Sequence, residues 1–134
     1  MLPVEVIEKE HGVIRRRLDD IERAFSESDR ENILMLLLDF ESYWNSHEEK
    51  EEKFLDWFEE NSGEEFPFGK TLVNEHRQLR GHWKVLKDFL LNKRGPQLAA
   101  ALNTDGKMVL DKIREHIRKE DAFFARTKLN QIIR

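Results

Sequence analysis

Six ionisable side chains stand at positions where the apolar stripes of the chain predict core residues. These six are His11, His47, Glu51, His76, His116 and Glu120. Burying one such group without a partner costs on the order of several kcal/mol, so six of them on inward-facing stripes need a common explanation. Bound metal ions supply one, because imidazole nitrogens and carboxylate oxygens are both metal ligands.

The spacing of these residues supports the same interpretation. Glu51 follows His47 by four residues, and Glu120 follows His116 by four, which puts each pair on one helix face a single turn apart. The chain contains no cysteine, which excludes disulfides, zinc–thiolate clusters and cysteine nucleophiles. A set of imidazoles and carboxylates favours iron or manganese, and fits zinc less specifically.

The two halves of the chain repeat these motifs. The repeated units are Glu10-His11 and His47-x-x-Lys50-Glu51 in the first half, and Glu75-His76 and His116-x-x-Lys119-Glu120 in the second. The repeat predicts two helical hairpins, each supplying two histidines and one glutamate. A pseudo-twofold arrangement of these hairpins predicts a site for two ions, with bridging glutamates and two histidines capping each metal.

Four amphipathic stretches can position these side chains. Apolar residues three and four apart predict helices over residues 3–25, 30–60, 70–93 and 107–133, with Ser28 or Asp29 capping the second. Residues 61–69 are predicted to form a loop, residues 97–102 a helical stretch, and residues 103–106 an interruption before the last helix. No stretch predicts a strand, so we expect an all-α, antiparallel up-down four-helix bundle, with residues 1–134 forming a single domain.

The heights of the histidines along the helices are compatible with one site. A rise of about 1.5 Å per residue puts His11 and His47 at similar depth in an antiparallel pair. His76 and His116 reach a common depth only if residues 97–106 continue the run back along the bundle.

Composition restricts the class of protein. Charged residues make up 37% of the chain, and the net charge is -4, with both signs mixed along the sequence. This mixture is typical of a solvated surface and argues against a nucleic-acid-binding face. The longest aliphatic run, residues 33–38, is too short to span a bilayer, and residues 1–10 lack the apolar stretch of a signal peptide. We therefore expect a cytoplasmic protein that does not bind membranes.

Four further residues near these stripes have alternative interpretations. His82 lies on a different helix face from His76 and is interpreted as a surface or boundary residue. Tyr43 flanks the stripe one turn before His47, where plain packing is favoured over a role beside the metals. Arg15 and Arg80 each follow a histidine by four residues. Their stems are expected to cover the core, the alternative being that they supply charge near a bound anion.

Taken together, these motifs resemble the hemerythrin-like family, also called the histidine–histidine–glutamate cation-binding domain. The resemblance covers nearly the whole chain and rests on the order and spacing of the motifs, including Phe54 and Phe123 after the two glutamates. It implies a non-haem di-iron site inside an antiparallel bundle. The implied ligands are His11, His47, Glu51, His76, His116 and Glu120.

The chain departs from the oxygen-carrying members of that family. Those proteins have a fifth histidine one turn after the third-helix histidine, where this chain has Arg80. They also use an aspartate five residues after the last histidine; Asp121 stands there, but the repeat and the stripe both favour Glu120. A set of four histidines and two glutamates is similar to the di-iron proteins that repair iron–sulfur clusters. Those proteins often carry an additional segment with a cysteine, a residue absent here.

Three functions remain open at this point. The protein could bind or sense O2, NO or H2O2 at open metal positions, because its metal pair would have one histidine fewer than that of the oxygen-carrying members. It could instead carry out redox chemistry in peroxide reduction, NO handling or iron–sulfur cluster repair, which leaves open whether it is an enzyme. The third alternative is a purely structural metal, such as zinc. Neither a redox partner nor an oligomeric state is predicted.

Overall fold

The chain folds into long α-helices that run back and forth. The computed structural model describes the backbone of residues 3–27, 29–62 and 67–133, and the side chains of residues 4–27, 29–61 and 69–126. The elements are α1 (Pro3–Glu27), α2 (Arg30–Ser62), α3 (Pro67–Asn92), α4 (Gly95–Ala101), a π-helical turn (Leu102–Gly106) and α5 (Lys107–Ile133). The described residues include no β-strand.

Side-chain pairs between neighbouring helices give the direction of each helix. In every neighbouring pair, higher numbers on one helix meet lower numbers on the other, so all four pairs are antiparallel. The pairs are Glu10–Lys50 and Arg17–Tyr43 for α1 and α2, Glu41–Lys87 and Glu52–His76 for α2 and α3, Glu75–Lys119 and His82–Lys112 for α3 and α5, and His11–Asp121 and Asp19–Arg114 for α1 and α5. The predicted antiparallel up-down bundle is therefore confirmed.

The connections differ in detail from the prediction. Asp29 Oδ1 accepts a hydrogen bond from the Asn32 backbone amide at 3.2 Å, so Asp29 caps α2, whereas Ser28 lies outside the described residues. The predicted loop over residues 61–69 is too long, since α2 continues through Ser62 and α3 begins at Pro67. Asn61 supports the longer α2 by donating its side-chain amide to the Trp57 carbonyl at 2.7 Å. Residues 63–66 lie outside the described part.

The predicted interruption at residues 103–106 is a π-helical turn and leaves the helical path intact. Asn103 and Thr104 donate side-chain hydrogen bonds to the carbonyls of Ala99 and Ala100, at 2.9 and 2.8 Å. Such bonds compete with the backbone ladder and are consistent with a local widening of the helix. Because the path continues, α5 returns along the bundle and His116 reaches the depth of His76.

Two apolar clusters fill the interior, with a polar layer between them. On every long helix the residues of the polar layer are preceded by one cluster and followed by the other. The larger cluster includes Ile14, Phe40, Trp44, Leu79 and Ile113. The smaller cluster includes Ile7, Phe54, Leu72, Phe123 and Phe124. No helix of the described chain has an apolar stretch sufficient to cross a membrane.

Candidate metal centre

The six residues singled out by the sequence meet in the polar layer. Their exposure is 0% for five of them and 2% for His116, the sixth. Each long helix contributes one histidine, and α2 and α5 each add a glutamate one turn later. The fold thus brings four imidazoles and two carboxylates together in a cage in the interior of the bundle, as the spacing predicts.

The donor atoms form two groups that share both glutamates. His11 and His47 form one group with Glu51 and Glu120, and His76 and His116 form the other with the same two carboxylates. Within each group the donor atoms lie within 4.8 Å of one another. This is the arrangement expected for two neighbouring ions bridged by two carboxylates. The binding roles of the individual residues stay a prediction.

The Nε2 atoms of the histidines point towards the shared glutamates. His11 Nε2 lies 3.1 Å from Glu51 Oε1 and 3.5 Å from Glu120 Oε1. His76 Nε2 lies 3.4 Å from Glu51 Oε2, and His116 Nε2 lies 3.2 Å from Glu120 Oε1. Both carboxylates therefore face imidazole nitrogens from more than one helix, as bridging ligands would.

The other ring nitrogen of each of the four cage histidines faces a second carboxylate. The Nδ1–O distances are 2.7 Å for His11 and Asp121, 3.0 Å for His47 and Glu10, 3.3 Å for His76 and Glu52, and 3.4 Å for His116 and Glu75. A carboxylate can only accept, so each Nδ1 donates, and the neutral ring keeps its Nε2 lone pair for a metal. Carboxylates in this position orient imidazole ligands and raise their basicity.

Two of these outer carboxylates, Glu10 and Glu75, are themselves held by lysines. Lys50 Nζ lies 2.6 Å from Glu10, and Lys119 Nζ lies 2.9 Å from Glu75. The two contacts are equivalent in the repeated halves of the chain. Hydrogen bonds with Lys50 and His47 outweigh the effect of burial and lower the pKa of the Glu10 carboxyl below 4.5. Glu10 therefore stays ionised and able to accept from His47 at neutral pH.

Unpartnered buried atoms test whether the site fits a cation. Among the described residues, six atoms of the cage are buried and lack a hydrogen-bond partner. They are Nε2 of His47, His76 and His116, Oε2 of Glu51, and both carboxylate oxygens of Glu120. Buried polar atoms are rarely left unsatisfied in native proteins, and all six here are potential metal donors. The residues therefore fit a bound cation.

Electrostatics within the cage point the same way. Burial by itself would raise the pKa of the Glu51 carboxyl, but the imidazoles of His11, His47 and His76, which face this carboxyl, hold its pKa well below 4.5. For His116, burial and the nearby charge of His76 lower the imidazole pKa from 6.5 to about 4. The cage thus offers an ionised carboxylate and a neutral imidazole at neutral pH, which are the forms that bind metals.

Comparison with known proteins agrees with this geometry. The sequence profile of the Hemerythrin HHE cation binding domain matches residues 2–126. The chain belongs to this family. No curated protein and no solved structure matches the chain.

Membership of the hemerythrin HHE family supports the general prediction from the sequence, which is that the chain binds metal ions. Cation binding is part of the family's description, and the buried His/Glu groups of this member could hold metal ions. The hemerythrin-like resemblance inferred from the motifs is therefore confirmed.

Asp121 is placed by the structure outside the cage. It contacts the Nδ1 side of His11, while the adjacent Glu120 faces the centre. Asp121 also accepts a hydrogen bond from Arg15. These two partners outweigh the effect of burial and lower the Asp121 pKa below 3.8.

The other residues considered from the sequence lie around the site. Tyr43 packs against the larger apolar cluster, with Arg17 Cζ 4.8 Å from the centre of its ring. His82 Nε2 lies 3.1 Å from Lys112 Nζ, away from the cage. Arg80 donates to Glu48, as Arg15 does to Asp121, so both guanidinium groups hold carboxylates beside the cage.

Sequence analysis missed Glu48, which is a further buried carboxylate. It is only 3% exposed and accepts hydrogen bonds from the Trp44 indole and from Arg80. Burial raises the pKa of the Glu48 carboxyl above 4.5. The equivalent position in the second half of the chain is Ile117. This difference between the two halves breaks the twofold repeat, and it is a signal in the sequence that could have drawn attention to Glu48.

Proposed function

We propose that this protein holds two iron ions in the cage and binds a small molecule, O2, NO or H2O2, at open metal positions. The observation that carries the proposal is the division of the donor atoms into two groups that share Glu51 and Glu120. Two histidines and two shared carboxylates per ion give a four-histidine, two-glutamate set. The ligands would be His11, His47, Glu51, His76, His116 and Glu120.

Iron is favoured by the chemistry of the donors and by the family. Imidazole with carboxylate is a ligand set for iron and manganese, and the chain has no thiolate to select a softer metal. Paired carboxylate-bridged metals in helical bundles commonly use glutamate and histidine from facing helices. Such a metal pair, when bound, would supply Lewis acidity and one-electron redox chemistry.

The protein's own residues would keep the site ready for that chemistry. Each outer carboxylate accepts the Nδ1 proton of one histidine and thereby directs Nε2 towards the centre. Phe124, whose ring centre lies 6.1 Å from that of His11, belongs to the smaller apolar cluster below the cage. Trp44, whose ring centre lies 5.7 Å from that of His47, belongs to the larger cluster above it. These apolar layers exclude water from the metal donors.

A residue on α3 supports the proposal that the metal pair has open coordination positions. The residue one turn after His76 is Arg80, and its guanidinium donates to Glu48. No imidazole from that position adds to the cage, so the proposed metal pair has fewer protein ligands than one with a fifth histidine. A small exogenous ligand could occupy the position left over.

Metal analysis of natively purified protein, followed by optical titration, tests this proposal. We expect about two iron ions per chain, and a saturable, reversible optical change when the reduced protein meets O2 or NO. Rapid irreversible oxidation would favour redox catalysis or cluster repair. Zinc at the same stoichiometry, with no optical response, would favour a structural metal. Protein purified with no bound metal, which then fails to take up Fe(II), would contradict the proposal.

A further inference from the structure

A surface cavity lies between α2 and α3, directly beside the metal cage. Its volume is about 240 Å³, and its apolar wall consists of Phe40, Trp44, Leu79, Trp83 and Ile113. Phe40 contacts both indoles, with ring centres 5.9 Å from Trp44 and 4.8 Å from Trp83. These three rings therefore form a mostly buried aromatic wall, of which the cavity exposes only small parts, 5% of Trp44 and 7% of Trp83 at most.

This aromatic lining distinguishes the cavity from others on the described surface. Three further cavities have volumes of about 360, 350 and 180 Å³, and none is lined by a Phe, Tyr or Trp side chain. Small-molecule sites typically combine an apolar wall with a few polar groups that fix the orientation of the ligand. The aromatic cavity matches that description better than the other three.

The mouth of the cavity carries an excess of positive charge. Arg80, Lys84 and Lys87 line it, with Glu41 as the opposing carboxylate. Lys87 is neutralised by Glu41, since its Nζ lies 2.8 and 3.0 Å from the two carboxylate oxygens. Arg80 is committed to Glu48. Lys84 has no hydrogen-bond or ion-pair partner among the residues whose side chains are described, so one cation at the mouth is left without a counter-charge.

We propose that this cavity binds a small aromatic carboxylate. The planar ring would lie against the parts of Trp44 and Trp83 that the cavity exposes, where edge-on contacts add to the burial of apolar area. The carboxylate would pair with the Lys84 ammonium at the mouth, and Asn45, also at the mouth, offers an amide donor. The size of the cavity limits the ligand to one or two fused rings.

This site goes beyond the proposed metal chemistry and does not depend on it. Trp44 nevertheless forms a wall common to both, because its ring centre lies 6.1 Å from those of His76 and His116. Since Trp44 also donates to Glu48, a molecule held against the exposed part of its indole would contact a residue that packs against the cage.

Calorimetric titration of the metal-loaded protein with 2-naphthoate tests the proposal. We expect saturable binding of one naphthoate per chain, and weaker binding of the neutral analogue 2-naphthamide. Lys84→Gln should weaken naphthoate binding about two- to fivefold, the range of a solvent-exposed ion pair. Asn45→Trp, a change at an exposed position that would plug the mouth without altering charge, should abolish saturable binding.

Lys107→Gln is the matched control, because it removes the same charge from an exposed lysine that does not line the cavity. It should leave the naphthoate affinity unchanged. The proposal is overturned by any of four results: no saturation up to about 10 mM naphthoate, equal binding of the amide, equal effects of Lys84→Gln and Lys107→Gln, or unchanged binding in Asn45→Trp. Both lysine variants and Asn45→Trp change exposed positions, so loss of folding does not obscure the outcome.

Discussion

His11 Nδ1 donates to Asp121 Oδ1 across 2.7 Å, joining the first long helix to the last. The contact fixes the imidazole so that its Nε2 lies 3.1 Å from Glu51, inside the cage. Asp121 thus acts on the site through His11, and the carboxylate that faces the centre from α5 is that of the preceding residue, Glu120.

Removing this outer carboxylate should weaken metal binding while preserving the cage. We expect Asp121→Ala to lower metal affinity about 10- to 100-fold, because His11 loses the acceptor that orients its ring. Competition with a chelator of known affinity measures the change. Glu115→Ala is the control, since this exposed α5 carboxylate pairs only with Arg118 among the described residues. Equal metal affinity in the two variants would exclude a positioning role for Asp121.

Removing a proposed ligand should release metal without unfolding the bundle. His47→Ala and His116→Ala should each lose most of the bound metal, because each removes one of the two histidines of a donor group. The apolar clusters above and below the cage remain, so the helical signal in circular dichroism should persist. Elemental analysis measures metal per chain, with His82→Ala as the control outside the cage. Full metal content in both cage variants would show that the ligand assignment is wrong.

Acidification should release the metal because protons compete for the same nitrogens. Burial disfavours the charged rings of His11 and His76, but the surrounding carboxylates outweigh it and raise both imidazole pKa values above 6.5 in the metal-free protein. Metal affinity is therefore highest above these pKa values and falls as the pH decreases through them. His116, with a pKa of about 4, contributes only in strong acid.

Metal retained after equilibration at a series of pH values measures this dependence. We expect retention at about pH 8 and progressive loss towards about pH 5, in the range where raised histidine pKa values lie. Circular dichroism at each pH separates release of metal from unfolding. Constant metal content over this range, with chelator present, would contradict the expected proton competition.

Two glycines should respond oppositely to the same substitution. A Cβ at Gly106 would lie 3.1 Å from Cε2 of Phe25, which is fully buried and has little room to move, whereas a Cβ at Gly81 would meet nothing within 4 Å. Gly106→Ala should therefore lower the free energy of unfolding by about 1 kcal/mol. Gly81→Ala should raise it by roughly 0.5–1 kcal/mol through helix propensity.

Chemical denaturation of both variants measures this difference, with metal content determined alongside. Gly106 belongs to the π-helical turn, away from the cage, so metal binding should be unaffected in either case. An equal or greater stability of Gly106→Ala would show that Phe25 can shift to accept the methyl group.

Hydrophobic periodicity in the sequence was sufficient to predict the bundle and the six residues that converge within it. A helix repeats its facing direction about every 3.6 residues, so a polar residue that falls on an apolar stripe is recognisable without a structure. The internal repeat added the equivalence of the two halves of the chain, in which His11 corresponds to His76 and His47 corresponds to His116. The end of α2, the start of α3 and the π-helical turn were predicted less well. These features depend on local hydrogen bonds, such as those from Asn61 and Thr104.

Other properties of the site depend on how the helices rotate and pack against each other. The direction of each imidazole, the outward position of Asp121, the burial of Glu48 and the aromatic cavity all require contacts between residues far apart in sequence. Periodicity predicts which face of a helix is buried. It does not predict which residues of the neighbouring helix contact that face. Side-chain packing between helices decides this, and it thereby determines which nitrogen of each histidine faces the cage.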